Sequence, residues 1–266
     1  MWYTSRMAIW GDYHTHSVYS HGDGTVEDNV KRAVELGLKE IGITDHGICA
    51  YPNNMPPHEL DDFLSDVTDC RAKYPQINIL AGIEANLISL SGRIDLTEQQ
   101  QEKLDYIVFG YHYIRMLVAN PVDMATLWLA NLLPGASSAK RIVKNTDAYI
   151  KTMQKYRIAV IAHPQKSILC DLKVLGEAAK EYGVHVEVNE KNLEFGSHDF
   201  ETLIKTGCKL IIVSDAHSPQ KIGLVPTALE ASRAAGIPDE AYANWERLPD
   251  LNFNPKTVLN RERFDR

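Results

Sequence analysis

Asp12-Tyr13-His14-Thr15-His16-Ser17-Val18-Tyr19-Ser20-His21-Gly22-Asp23 sets three histidines and two acids into one short polar segment, directly after the apolar run Met7 to Trp10. That run reads as a strand. Residues two apart in an extended chain point the same way, so the His14 and His16 imidazoles can share one cation. A lone His-x-His pair is more often an accident of a strand-end loop than a ligand pair, so its meaning depends on whether further ligands appear along the chain.

Beyond this segment, strands and helices alternate regularly. From Thr25 the apolar residues Val26, Val30, Ala33 and Val34 fall on one helical face, with Glu27 and Asp28 in the first turn and Gly37 past the end. Ile41 and Ile43 make a strand that ends at Thr44-Asp45-His46-Gly47. After the Pro-rich loop Tyr51 to Pro57, Leu60, Phe63, Leu64 and Val67 form the next helical stripe. A strand from Ile77 to Ile83 runs into Glu84, and one from Tyr106 to Tyr111 delivers His112. The segment Tyr113 to Tyr156 departs from the rhythm and reads as a packed helical hairpin, with a lid or a dimer surface as alternatives.

Strand Ile158 to Ala162 then ends at His163-Pro164, and Asp171 caps a helix closed by Gly183. Strand Val184 to Val188 ends at Asn189, helix Asp199 to Thr206 stops at Gly207, and strand Leu210 to Val213 ends at Ser214-Asp215-Ala216-His217. Pro226 and Gly236 bracket the last helix. The expected organisation is one domain over residues 1–266, with 238–266 as a C-terminal surface tail. No hairpin signal such as Asn-Gly separates the strands, so the sheet is expected to be parallel.

Six of the seven expected strands end in a potential metal ligand. Strand ends of an open doubly wound sheet lie along a line, whereas those of a closed barrel ring one mouth. The distribution of His14, His16, His46, Glu84, His112, His163, Asp215 and His217 therefore predicts an α/β fold, a distorted seven-stranded (β/α)7 barrel of the TIM-barrel type. Imidazoles and carboxylates suit zinc, iron and manganese, and there are too many for a single tetrahedral ion.

Composition bears on the partners of the chain. The chain has 266 residues, 44% of them hydrophobic, and a formal charge of -7, which argues against a broad basic surface for gripping nucleic acid. Small anionic substrates stay compatible, because bound cations reverse the sign locally. Cys49, Cys70, Cys170 and Cys208 lie far apart and predict reduced thiols in a cytoplasmic protein. No apolar run is long enough to cross a membrane.

The ordered set His-x-His, Thr-Asp-His-Gly, Gly-Ile-Glu, a strand-end His, Ala-His-Pro and Ser-Asp-Ala-His resembles the polymerase and histidinol phosphatase (PHP) family over roughly Asp12 to His217. The resemblance implies a centre of three divalent ions, zinc, manganese or iron. His14, His16, Glu84 and Asp215 would hold the first, with Glu84 bridging to a second held also by His112 and His163. His21, His46 and His217 would hold the third. Asp12 and Asp45 are expected to fix neighbouring imidazoles. Asn189 is expected to orient substrate or water, and Arg115, Lys166 and Lys191 are candidate phosphate contacts.

The implied function is metal-dependent hydrolysis of a small-molecule phosphomonoester, with histidinol phosphate one candidate. Cations lower the pKa of a water enough to give hydroxide near neutral pH. Glu84, Asp215 and His217 are the candidate catalytic residues, and the leaving-group proton would come from a coordinated water or from an acid such as Asp215 or His217. The alternatives are a phosphodiesterase or nuclease of the same family and a non-catalytic metal-binding regulatory module. Amidohydrolase chemistry lacks the metal-bridging Lys expected at a strand end.

Overall fold

The structure is a computed structural model and describes residues 9–47, 52–112, 127, 129, 131 and 138–252. Seven strands follow one another round a single sheet in chain order: β1 Gly11–Asp12, β2 Glu40–Ile43, β3 Asn78–Asn86, β4 Tyr106–Gly110, β5 Ile158–Ile161, β6 His185–Asn189 and β7 Leu210–Val213. Every paired neighbour is parallel. Helices α1 Val26–Glu35, α2 Leu60–Lys73, α3 Glu98–Lys103, α4 Ala139–Lys155, α5 Leu172–Tyr182, α6 Ser197–Thr206 and α7 Pro226–Ala234 connect or follow the strands. This is the barrel expected from the ligand spacing, and a register shift between Ile107 and Val108 distorts it.

Local chemistry explains the helix ends. Thr25 and Asp28 form a reciprocal capping box at the start of α1. The Asp171 carboxylate accepts from the Lys173 and Val174 amides, and Gly183 closes α5 in the left-handed conformation at φ 68°. The apolar faces of these helices pack on the outside of the barrel, where Val30, Phe63, Val67, Leu175 and Leu203 are fully buried.

Inside the barrel, Tyr13, Leu80, Tyr106, Val108, Val160, Ile211 and Val213 form a second cluster. Tyr106 fits only because its neighbours on β2 and β3 are glycines. A Cβ on Gly42 would lie 1.8 Å from the Tyr106 hydroxyl, and one on Gly82 would lie 2.8 Å from its ring. That hydroxyl donates to the Tyr13 carbonyl at 2.8 Å, which satisfies a polar group that burial would otherwise strand.

β7 and β1 meet without regular pairing. Thr15 makes an isolated parallel bridge to Ala216, and the His16 amide donates to the Ala216 carbonyl at 2.8 Å. Lower down, Asn244 fills the gap. Its amide nitrogen donates to Gly11 O at 3.1 Å and Ile212 O at 2.7 Å, and its oxygen accepts from the Ile212 amide at 3.1 Å.

The expected surface tail therefore differs from what is found over 238–252. Tyr242, Asn244 and Leu251 are buried, and Leu251 joins the cluster inside the barrel. Truncating an aliphatic side chain so placed costs about 2–5 kcal/mol. Sparse apolar residues hid this role, because one Asn and one Leu at the right positions suffice to close a seam and plug an end.

Two strand boundaries also move. The first strand is expected at Met7 to Trp10, but β1 is Gly11–Asp12, and Ile9 instead bridges Trp245 in an antiparallel sense. Glu84 lies within β3 rather than beyond it. Half of the Tyr113 to Tyr156 segment, including most of 113–137, falls outside the described residues. Of it, Leu127 joins the outer core, and Asn131 pairs with Asn145 of α4. Among the described residues no helix is long and apolar enough to cross a membrane.

Candidate metal centre

The C-terminal ends of the strands converge on Glu84. Its Oε1 lies 2.9 Å from His163 Nε2 and 3.3 Å from His112 Nε2. Its Oε2 lies 2.7 Å from His46 Nδ1, 3.3 Å from His14 Nε2 and 3.7 Å from His16 Nε2. One carboxylate thus turns each oxygen towards a different set of imidazoles. Asp215 Oδ1 approaches His16 Nε2 at 3.2 Å and His217 Nδ1 at 3.4 Å. The His21 ring stacks on His46 with centroids 4.9 Å apart and meets His217 edge-on at 4.2 Å. All nine candidate ligands are brought to one mouth.

Two of them are held in unusual backbone conformations. His163 has φ 26° and Asp215 φ 51°. Non-glycine residues in this region cost about 1–3 kcal/mol each, and such residues cluster at active sites. His163 and Asp215 are kept there by hydrogen bonds from β6. The His163 amide donates to Glu187 Oε2 at 2.8 Å, and Asn189 Nδ2 donates to Asp215 Oδ2 at 3.1 Å.

The electrostatics of the mouth call for positive charge. Glu84, Asp215 and Glu187 are all buried. Burial alone would push the first two carboxyls up. For Glu84, His112, His14 and His46 outweigh it and hold the group well below the usual range. For Asp215, His14 and His16 do the same. His14 is the counterpart: burial opposes its protonation, but Glu187, Glu84 and Asp215 raise it well above the ordinary imidazole value. Burial, helped by neighbouring cations, lowers His21 to about 4, and burial lowers His46 and His217 to about 4 against the pull of their carboxylate neighbours. These three are neutral, and so competent as ligands, at neutral pH.

Buried atoms with no hydrogen-bond partner supply the fit test. They include His14 Nε2, both nitrogens of His16, His21 Nδ1, His46 Nδ1 and Glu84 Oε2. A polar atom stranded in this way normally costs about 1–3 kcal/mol, so an aggregate of them in one place fits residues that close round cations. Three overlapping triplets have ligand atoms within 4.8 Å of one another: His14, His16 and Glu84; His46, Glu84 and His112; and His16, His46 and His217. Lys191 Nζ lies 2.9 Å from His217 Nε2.

The residues behind the ligands differ from the expected ones. Asp12 accepts from Ser214 and from the Gly223 amide. Asp45 accepts from the Ser17 amide at 2.7 Å and from the Ser17 and Ser20 hydroxyls. Both acids therefore shape the loops that carry ligands, and neither bonds an imidazole. The imidazole partners are Glu187, whose Oε1 accepts from His14 Nδ1 at 2.6 Å, and Asn86, whose Oδ1 accepts from His112 Nδ1 at 2.8 Å. The Asn86 amide is held in turn by Asp95 at 2.6 Å. Glu187 carries a sequence signal: it is an acid between two valines, two residues before Asn189 in the same strand and so on the same face.

Asn189, expected to orient substrate or water, has both amide hydrogens engaged by Glu187 and Asp215, and its oxygen accepts from the Asn192 amide. That leaves its amide no hydrogen for a ligand. Lys166 is exposed on the loop after His163, and Arg115 lies outside the described residues. Cys70, Cys170 and Cys208 are free and buried, and Cys49 is not among the described residues.

A family model for the PHP domain matches residues 12–198, well over half of the chain. This chain belongs to the PHP domain family. Its relatives align along most of their length: a Clostridium botulinum protein named "probable phosphatase" is 28% identical over 251 residues, 91% of this chain and 93% of its own. A Proteus mirabilis protein of the same name is 28% identical over 260 residues, covering 94% and 92%.

Among solved structures, histidinol phosphate phosphatase of Lactococcus lactis, complexed with zinc, L-histidinol and phosphate, superposes with a TM-score of 0.57 over 85% of this chain and 91% of that one, at 16% identity. A Listeria monocytogenes chain provisionally described as a histidinol phosphatase gives 0.60 over 80% and 97%, also at 16% identity. At that identity the likeness speaks for the barrel fold of the PHP domain.

Proposed function

We propose that this protein, a metal-dependent phosphatase of the PHP family, hydrolyses a small-molecule phosphomonoester at a centre of three divalent cations. One observation carries this reading: Glu84 presents its two oxygens to two different imidazole sets, the disposition of a carboxylate that bridges ions. His14, His16, Glu84 and Asp215 would hold the first ion. Glu84, His112 and His163 would hold the second, and His21, His46 and His217 the third. His46 also stands beside Glu84, so the residues that would hold the third ion adjoin those that would hold the first two.

Zinc, manganese or iron in these positions supplies Lewis acidity towards phosphoryl oxygens and a water nucleophile near neutral pH. The chain's own groups do the rest. Lys191, beside His217, offers an ammonium to phosphoryl oxygens. His217 donates from Nδ1 to the Asp215 carbonyl at 2.8 Å, which fixes the ring and leaves Nε2 as its ligand atom. Against burial, which raises it, His14 and His16 hold the Asp215 carboxyl well below its usual range, so it would serve as a carboxylate ligand rather than as the acid for the leaving group.

The acidic chain, with a formal charge of -7, favours a compact anionic substrate drawn to local cations over a nucleic-acid polymer. Protein reconstituted with zinc, manganese or iron should hydrolyse p-nitrophenyl phosphate faster than its bis ester. A panel of phosphorylated metabolites that includes histidinol phosphate then identifies the substrate. Preference for the diester, or no turnover of any phosphate ester by metal-replete protein, contradicts the proposal.

A further inference from the structure

β6 is the one strand whose C-terminal end contributes no candidate ligand, yet its side chains bond to three segments of the centre. Glu187 is fully engaged. Its Oε1 accepts from the His14 ring at 2.6 Å, and its Oε2 accepts from the His163 amide at 2.8 Å and from Asn189 at 3.0 Å. Asn189 passes its second amide hydrogen to Asp215 at 3.1 Å. Three residues from three other segments, one after β1, one after β5 and one after β7, are therefore tied to two neighbouring side chains on β6. Two of the three, His163 and Asp215, have positive φ.

From this geometry we infer that Glu187 and Asn189 are shared positioning residues that couple the first and second cation positions, so that disturbing β6 loosens two ions together and spares the third. The inference rests on the three-ion reading. Its physical basis is that His14 and Asp215 serve the first position and His163 the second, while no hydrogen bond runs from Glu187 or Asn189 to His21, His46 or His217 among the described residues. Asn86 is the contrasting case, since its side chain bonds only one candidate ligand, His112.

Glu187→Gln is the discriminating change because it is nearly isosteric. A carboxylate accepts on both oxygens, from His14 on one side and from His163 and Asn189 on the other. An amide has a single acceptor oxygen, so in either orientation an N–H faces a donor. Loss of an outer partner of this kind typically lowers metal affinity about 10- to 100-fold.

The test is a titration of metal-free protein with cobalt(II) against a competing chelator, followed by absorbance and by elemental analysis, on wild type, Glu187→Gln and Asn86→Ala. In Glu187→Gln two ions should weaken together by about 10- to 100-fold, with their absorbance bands altered, while the third keeps wild-type affinity and reports an intact fold. In Asn86→Ala one ion alone should weaken. If Glu187→Gln does not fold, Asn189→Leu, which keeps the carboxylate, should still weaken two ions. Loss of a single ion, of none, or of all three to the same degree in folded Glu187→Gln overturns the coupling. Wild type that takes up fewer than three ions overturns the three-ion reading instead. The coupling then stands if the remaining ions still weaken as a pair, and falls if they do not.

Discussion

At the seam between β7 and β1, Asn244 uses both amide hydrogens and its oxygen on backbone groups of Gly11 and Ile212. At the mouth of the same barrel, His16 has both ring nitrogens buried without a partner, and Glu84 Oε2 and His46 Nδ1 lie 2.7 Å apart without forming a hydrogen bond. The seam is polar and complete within the chain. The mouth is polar and incomplete, with positive-φ residues and clustered carboxylates added. Stability is thus built where polar groups satisfy one another, and function where they wait for something from outside.

That contrast can be broken most sharply at the mouth. Asp215→Ala or His163→Ala should lower phosphomonoester turnover by more than about 100-fold, beyond what loss of an outer partner costs, while circular dichroism stays that of the folded barrel. Turnover near wild type in either variant would put the catalytic centre elsewhere.

Removing the metal comes next. Chelation should lower stability by about 4 kcal/mol for each ion lost, relative to protein at free metal a thousand times that ion's dissociation constant, and zinc, manganese or iron should restore it in a melting experiment. An unchanged melting temperature would mean that the mouth does not bind ions when folded.

The seam should respond to mutation without responding to metal. Asn244→Ala strands buried backbone groups and should cost about 1–3 kcal/mol in denaturant unfolding. The cost should be the same with and without metal, because the two regions share no partner. A cost that vanishes in the metal-free protein would show that the seam and the mouth form one unit.

A graded, pH-dependent effect tests Glu194. Burial pushes the Glu194 carboxyl from its usual 4.5 up to about 8, against the opposing hydrogen bond from the Gln165 amide. Between those values the folded chain holds a proton that the unfolded chain has lost, so this group makes stability fall as pH rises from about 4.5 to 8. Glu194→Gln should therefore gain on wild type progressively across that window in melts at a series of pH values. Parallel profiles would mean that Glu194 is solvated.

Much of this was legible in the chain. The alternation of strand and helix and the recurrence of His, Glu and Asp at strand ends pointed to the barrel and to a single mouth for all nine candidate ligands. The hydropathy pattern places Glu84 after its strand, whereas β3 extends through Asn86, since polar residues inside a barrel strand look like a loop to such a pattern. What stayed hidden was long-range. Asp12 and Asp45 stand next to imidazoles in sequence but bond Ser214 and Ser17 in space, and the carboxylate behind His14 comes from 173 residues away. Adjacency along a loop does not predict pairing across a barrel. Likewise, nothing local marks Asn244 or Leu251 as closing the seam and the lower end.

The most direct test of the central claim is to count metal and activity on one sample. Chelator-treated protein should be inactive towards phosphomonoesters, and stepwise return of zinc, manganese or iron should restore turnover as binding approaches three ions per chain. Wild-type turnover by protein stripped of metal would contradict the account.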